Sequence, residues 1–260
     1  MEIISSLQNP RIKQTLHLIE KPHVRKDSGL FTIEGWRELA LALQANYRIK
    51  TLFVCPEICK VANLPAAERC CEITLPVFQK IAYRDNSDGM LAVLHQKPHT
   101  LFSLQLKPKP FVIVVEAVEK PGNLGAILRT ADAAKVDAVI VCDPQCEIYN
   151  PNVVRSSIGC LFTNQVVTCT SEEAFDLLKT NKINILAAEL QASTHYHLVD
   201  MRKATAVVLG TEADGLSDFW LHNAHQRIKI PMRGAIDSLN VSVSAAVLTF
   251  EAMRQRGFGD

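Results

Sequence analysis

Residues 111–142 read FVIVVEAVEKPGNLGAILRTADAAKVDAVIVC. The first eight, Phe111 to Val118, form a nearly unbroken apolar run dominated by valine. A strand buried on both faces of a parallel sheet needs such a run. A Pro-Gly turn follows. Leu124, Ile127, Leu128, Ala131 and Ala134 then recur at helical spacing, which predicts a helix from Leu124 to Lys135. Asp137 to Cys142 is again strand-like, so the stretch reads as one β–α–β unit. A dinucleotide-binding turn would carry G-x-G-x-x-G. The spacing here is N-x-G-x-x-x-R instead, at Asn123, Gly125 and Arg129.

Further apolar runs at 183–189, 205–210 and 227–232 extend the sheet, and a last helix is expected from Ser238, a natural N-cap. In that helix Val243, Ala246, Val247, Phe250 and Met253 are expected to face the core. Gln96 to Pro110 holds three prolines and three lysines and reads as a boundary. Before it, a helix from Pro10, a second over 35–45 and strands at 49–55, 71–76 and 90–95 make a small α/β unit. The expected division is therefore 1–97, a linker at 98–110, and 111–260.

The chain has 260 residues and a net charge of +1. That charge divides unevenly. Residues 1–110 hold 15 Lys+Arg against 10 Asp+Glu, giving +5, and residues 111–260 hold 13 against 17, giving −4. A basic N-terminal part suits a polyanionic partner, although a difference of this size also arises in ordinary domains. No apolar run reaches the ~20 residues of a membrane span. The N-terminus lacks the apolar core of a signal peptide, so a cytoplasmic location is expected. The eight cysteines fit reduced, mostly buried thiols, and their spacing matches no usual zinc site, so no metal is expected.

Three stretches each follow a strand: PGNLGAILR (121–129), LGTEADGLS (209–217) and IPMRGAIDSLNVSVSAAV (230–247). In an open parallel sheet the ligand crevice lies beyond the carboxyl ends of the strands. Singly, each has a bland reading: Gly210 and Gly215 as turn glycines, Ser238 as a cap, Arg129 as a solvated helix residue. Three such stretches at three strand ends point to one site.

Together these stretches resemble the three motifs of the SpoU/TrmH-type RNA ribose 2′-O-methyltransferases of the SPOUT superfamily. Asn123, Gly125 and Arg129 match the first motif. Leu209, Gly210, Glu212 and Gly215 match the second, and Ile230 through Val243 match the third without a gap. RKDSGLFTIEG (25–35) resembles, more faintly, part of the family's substrate-binding domain. The family often has Asp where this chain has Lys120, and Gly where it has Lys135. Neither departure is expected to touch the chemistry.

The resemblance implies a C-terminal α/β domain with a mainly parallel sheet and a trefoil knot, preceded by a small RNA-binding domain. It implies S-adenosylmethionine as methyl donor, held at Leu209, Gly210, Thr211, Gly215, Ile230, Met232 and Leu239. It implies a homodimer formed through the C-terminal domain. The implied reaction is methylation of a ribose 2′-hydroxyl in structured RNA, with ribosomal RNA ahead of transfer RNA. Arg129 is often assigned as the base in such enzymes. A guanidinium surrenders its proton poorly, so a clamp on the adjacent phosphate that also stabilises charge developing on oxygen fits its chemistry better. Asn123, Glu212, Ser238 and Asn240 would position Arg129 and the ribose. Two readings compete. A nicotinamide oxidoreductase lacks its glycine fingerprint here, and a non-catalytic RNA-binding protein would have no need of the motif's polar residues.

Overall fold

The computed structural model describes residues 1–84 and 87–258. Its contacts divide the chain into two units. The first comprises Met1–Pro98 with Glu147–Thr163, and the second His99–Cys146 with the remainder from Asn164.

In the first unit the order is β1 (Glu2–Ile4), α1 (Pro10–Glu20), α2 (Pro22–Ser28), β2 (Leu30–Glu34), α3 (Trp36–Gln44), β3 (Ile49–Val54), β4 (Arg69–Ile73), α4 (Leu75–Ile81) and β5 (Met90–His95). The strands form a sheet in the order β1-β4-β3-β5-β2, with β5 antiparallel to both its neighbours. Ile12 and Leu18 of α1 and Val77 and Phe78 of α4 pack over Phe53, Cys71 and Ile73 of the sheet. The strand expected at 71–76 ends at Ile73, because Pro76 sits in the first turn of α4, where its missing N–H costs nothing.

The second unit holds β6 (Phe111–Glu116), α5 (Pro121–Ala133), β7 (Ala138–Cys142), β8 (Val166–Cys169), α7 (Ser171–Thr180), β9 (Asn184–Ala188), β10 (Thr194–His195), β11 (Thr205–Leu209), α8 (Asp218–Asn223), β12 (Gln226–Lys229) and α9 (Val241–Gln255); α6 (Pro151–Ser156) belongs with the first unit. The strand order is β10-β12-β9-β11-β6-β7-β8, and every pairing is parallel. From β6 the chain builds outward through β7 to β8, and then returns to fill the other side with β9 to β12. The reversal lies beside β6, where Leu209 of β11 pairs with Val115. A crevice opens at such a switch point. The central strands β6 and β11 are buried along their whole length, as their valine runs require.

Two expectations about helices are corrected. In α9 the buried residues are Ala245, Leu248, Thr249 and Ala252, while Val243 and Phe250 are 46% and 42% exposed. The helix is apolar on more than one side, so periodicity alone could not choose its inward face. Its N-cap is Asn240, whose side chain accepts from the Ser242 N–H at 3.0 Å. Ser238 instead donates its hydroxyl to Asp237. In α5 the predicted stripe is the buried one. The chain leaves that helix through Lys135 at φ +49°, a left-handed conformation that a glycine adopts without the steric cost of a Cβ.

Residues 147–163, which the sequence reading placed in the C-terminal domain, group with the first unit. The buried Arg25 holds the carbonyl of Ile19 at 2.9 Å and pairs with Glu147. Tyr149 meets Tyr47 hydroxyl to hydroxyl at 2.9 Å, and its ring lies 4.4 Å from Phe31. Gly159, at φ +84°, passes so close that a Cβ would come within 2.7 Å of Leu41. A chain truncated to begin at His99 is therefore expected to bare Tyr149, Val153, Val154 and Phe162, all buried here. At ~1.5–3 kcal/mol per exposed side chain, the loss rivals the stability of a whole domain. Self-association of that fragment on size-exclusion chromatography, relieved when 147–163 is replaced by a short polar linker, checks this. A monodisperse unmodified fragment contradicts it.

Candidate functional site

The site grows from two turns at the carboxyl ends of adjacent central strands. After β6 the chain turns through Lys120 into α5, with Pro121 at the first helical position. After β11 it makes a tight loop. Thr211 donates to the Gly215 carbonyl at 2.9 Å, Gly215 returns the bond at 3.2 Å, and Gly215 stands at φ +72°. The loop folds back so closely on Gly210 that a Cβ there would lie 2.0 Å from the Gly215 oxygen. Glycine at 210 is thus required by the loop itself, before any ligand is considered. Beyond the loop, Glu116 at the end of β6 accepts from the Ser217 N–H at 2.8 Å and from its hydroxyl at 2.5 Å, pinning the loop to the sheet.

This loop and the stretch after β12 enclose a cavity of about 310 Å³. Leu209, Gly210, Thr211, Gly215, Ile230, Met232 and Leu239 all line it, as do Glu212 and Ser238. Aliphatic side chains line it together with Glu189, Glu212, Asp214 and Lys229, and the glycine cradle brings main-chain groups to the surface. Those features suit a ligand of nucleoside size held by backbone hydrogen bonds. S-adenosylmethionine fits that description, and its positively charged sulfur would supply a transferable methyl group.

At the rim three motif side chains meet. Asn123 donates its amide to Glu212 Oε1 at 3.2 Å. Asn240 donates to Asn123 Oδ1 at 3.1 Å and also to Glu212. The Asn240 oxygen is engaged by the Ser242 N–H and hydroxyl, so its amide can only point at Glu212. One carboxylate therefore ties the first, second and third motifs together.

Lys120 is a fourth member. Its ammonium pairs with Glu212 Oε2, so this departure from the family's usual Asp rests against a motif carboxylate. The Lys120 hydrogen bond holds the Glu212 carboxyl below its usual range, and Glu212 raises the Lys120 ammonium above its ordinary value. A group with a depressed pKa contributes above its unfolded value and loses that contribution as pH falls through the folded one. The pair is thus intact at neutral pH and fails at both extremes, in acid as Glu212 takes up a proton and in alkali as Lys120 gives one up. A lysine beside a phosphate-like turn is a weak sequence signal, and only the loop's closure reveals its partner.

Arg129 is not joined to this cluster. It lies on the exposed face of α5 and makes no hydrogen bond or ion pair among the described residues. Six residues beyond Asn123, at ~100° per residue, it leaves the helix in a different direction. No carboxylate among the described residues pairs with it, whereas Lys120 pairs with Glu212.

Comparison with known proteins places this arrangement. Residues 110–250 match the SpoU rRNA Methylase family, and residues 9–92 match the MRM3-like substrate binding domain. The chain is 28% identical over 250 residues to the 23S rRNA (guanosine(2553)-2′-O)-methyltransferase RlmP of Bacillus subtilis, covering 96% of this chain and 98% of that one. A crystal structure of an RNA 2′-O ribose methyltransferase superposes with a TM-score of 0.85 at 36% identity, over 98% of this chain and 99% of that one. The AdoMet-bound rRNA methyltransferase from Sinorhizobium meliloti superposes at 0.87 with 26% identity, over 97% of each chain. With more than half its length matched to the family and its motif residues gathered around one cavity, the chain belongs to the SpoU rRNA methylase family.

Proposed function

We propose that this chain transfers the methyl group of S-adenosylmethionine to the ribose 2′-hydroxyl of a nucleotide in ribosomal RNA. The observation that carries the reading is the Asn123–Glu212–Asn240 cluster at the rim of the motif-lined cavity. A ribose hydroxyl is a poor nucleophile, so the site must orient it and manage its proton. Asn123 and Asn240, fixed through Glu212, supply oriented amides at the rim. Arg129 supplies an unpaired planar cation suited to a phosphate beside the reacting ribose. Glycine at 210 and 215 lets the backbone close on the donor. The rRNA assignment rests on the relatives' substrates, and transfer RNA is the second choice. Mapping 2′-O-methyl groups in total RNA with and without the protein tests it: loss of a site in ribosomal RNA supports the reading. Loss only in transfer RNA, or no loss, overturns it.

The working unit in this proposal is a homodimer, with the 230–240 stretch part of a trefoil knot and the reaction taking place in the cytoplasm, where free thiols such as these eight persist. Support for the dimer comes from the outer face of α9, where Val243 and Phe250 stand exposed with Ala246, Val247 and Met253 beside them. A stripe of that kind gains by meeting a second copy of itself. Phe250→Glu is expected to convert the dimer to a monomer in sedimentation while leaving the melting temperature of each chain within a few degrees. An unchanged sedimentation coefficient rejects this interface.

A further inference from the structure

The first unit carries a cleft that the reaction chemistry does not use. It is lined by Thr32, Glu34, Tyr83, Arg84, Val154 and Arg155. Tyr83 is 51% exposed, and the guanidinium of Arg155 lies over its ring at 4.4 Å from the centroid. The backbone of Tyr83 and Arg84 is held by one carboxylate. Glu34 accepts from the backbone N–H groups of Tyr83 at 2.6 Å and Arg84 at 3.3 Å. The Arg84 guanidinium pairs with Glu38, whose side chain is 1% exposed. Arg84 is therefore neutralised and structural. Arg155 has only an amide partner, Asn152 Oδ1 at 3.2 Å, and pairs with no carboxylate among the described residues.

We propose that Tyr83 and Arg155 form a stacking platform for an unpaired base of the RNA substrate. An aromatic ring exposed beside a planar cation that no carboxylate among the described residues pairs with, its own backbone braced by Glu34, is the chemistry that holds a splayed base: flat groups stack, and the charge meets the neighbouring phosphate. Bracing matters because a platform already ordered gives up little entropy on binding. The cleft itself, about 30 Å³, has room for a water molecule but not for a ring, so the base lies on the outer surface of the pair. Arg155 belongs to the segment matched by the methylase family, and Tyr83 to the segment matched by the substrate binding domain. The platform therefore needs both halves of the sequence. The inference rests on the RNA-methylating role proposed above and locates one contact of its substrate.

The test uses the full chain and a single-stranded RNA octamer with one central 2-aminopurine, whose emission falls when the base stacks. The wild-type protein is expected to bind it with quenching. Tyr83→Leu, which keeps apolar bulk and removes the ring, is expected to abolish the quenching and to weaken binding roughly tenfold or more. Arg155→Gln is expected to weaken binding and flatten the slope of log affinity against log salt by roughly 0.7, one phosphate contact on a single strand. S-adenosylmethionine affinity should be unchanged in both variants, which shows that the fold and the methyl-donor site are intact. An octamer that does not bind the wild type, or a Tyr83→Leu protein that binds and quenches as the wild type does, overturns the platform. Methyl transfer to ribosomal RNA is scored separately in the wild type. If it is absent while the Tyr83 effects are present, the proposed reaction fails and the platform stands.

Discussion

Replacing Arg129 with alanine is expected to slow methyl transfer by roughly 10²–10³-fold or more, the size of effect that preorganised electrostatic groups exert. Its exposed guanidinium, on the same helix as Asn123, is a positive charge that no carboxylate among the described residues pairs with. The residue is not among those lining the cavity, so S-adenosylmethionine affinity should barely move. Arg129→Lys separates two mechanisms. A clamp uses the planar fork to hold a phosphate and to stabilise charge growing on the ribose oxygen, and lysine keeps the charge but loses the fork. Partial activity then remains at every pH. If a deprotonated side chain were the base, the rate would climb with pH, and lysine, with an ordinary pKa near ~10.4, would serve at least as well in alkali. Single-turnover transfer against pH, for the wild type and both variants, decides. A lysine variant that overtakes the wild type at high pH eliminates the clamp. An alanine variant with full activity eliminates any catalytic role for Arg129.

The parts of this molecule legible in its sequence are those fixed by local rules. The run Phe111 to Glu116 is buried because β6 is central in an all-parallel sheet, and a strand covered on both faces has no polar alternation to confuse the reading; the expected strand ran two residues further, to Val118, but the chain turns at Ala117 (φ +50°). The stripe of α5 is legible because only one of its faces is apolar. The fourteen-residue match from Ile230 to Val243 located the cavity wall because a loop that encloses a ligand tolerates few alternatives. What stayed hidden was decided by contacts distant in sequence. Val153 and Phe162 could cover any apolar surface, and nothing near them says that the surface belongs to the first unit. Lys120 finds Glu212 across ninety-two residues, through a loop whose closure depends on Gly210 meeting Gly215. In α9, Ala245, Leu248 and Ala252 compete with Val243, Val247 and Phe250 for the core, and the choice follows from how the helix lies on α5 and the sheet. At the start of that helix Ser238 and Asn240 are both good caps, and only the amide of Asn240 can hold both the helix N-terminus and the carboxylate of Glu212.

Gly210→Ala is expected to weaken binding of S-adenosylmethionine by roughly 10²-fold or more, for a reason different from a simple loss of space for the donor. The added Cβ would lie 2.0 Å from the Gly215 oxygen, 2.1 Å from its carbonyl carbon and 2.4 Å from the Leu216 nitrogen. These are backbone atoms, so no rotamer change relieves the clash, and the loop from Thr211 to Gly215 must move away. Overpacking of this kind costs ~1–3 kcal/mol even where the surroundings can adjust. Here the adjustment dismantles the cavity wall and slackens the Glu212 side of the rim cluster, so an affinity loss of roughly 10²-fold or more follows. The sheet should survive, because β11 ends at Leu209 and Glu116 still anchors Ser217 beyond the loop. Gly215→Ala provides the comparison. Its Cβ would meet nothing within 4 Å, but φ +72° strains any side chain, so its cost is ~1–2 kcal/mol of backbone energy and its affinity loss roughly tenfold. Calorimetric titration of both variants, with circular dichroism to confirm the fold, reads the difference. If Gly210→Ala binds the methyl donor as the wild type does, this loop is not its wall. If the two variants lose affinity equally, strain at the turn governs binding, and the close contact between Gly210 and Gly215 does not.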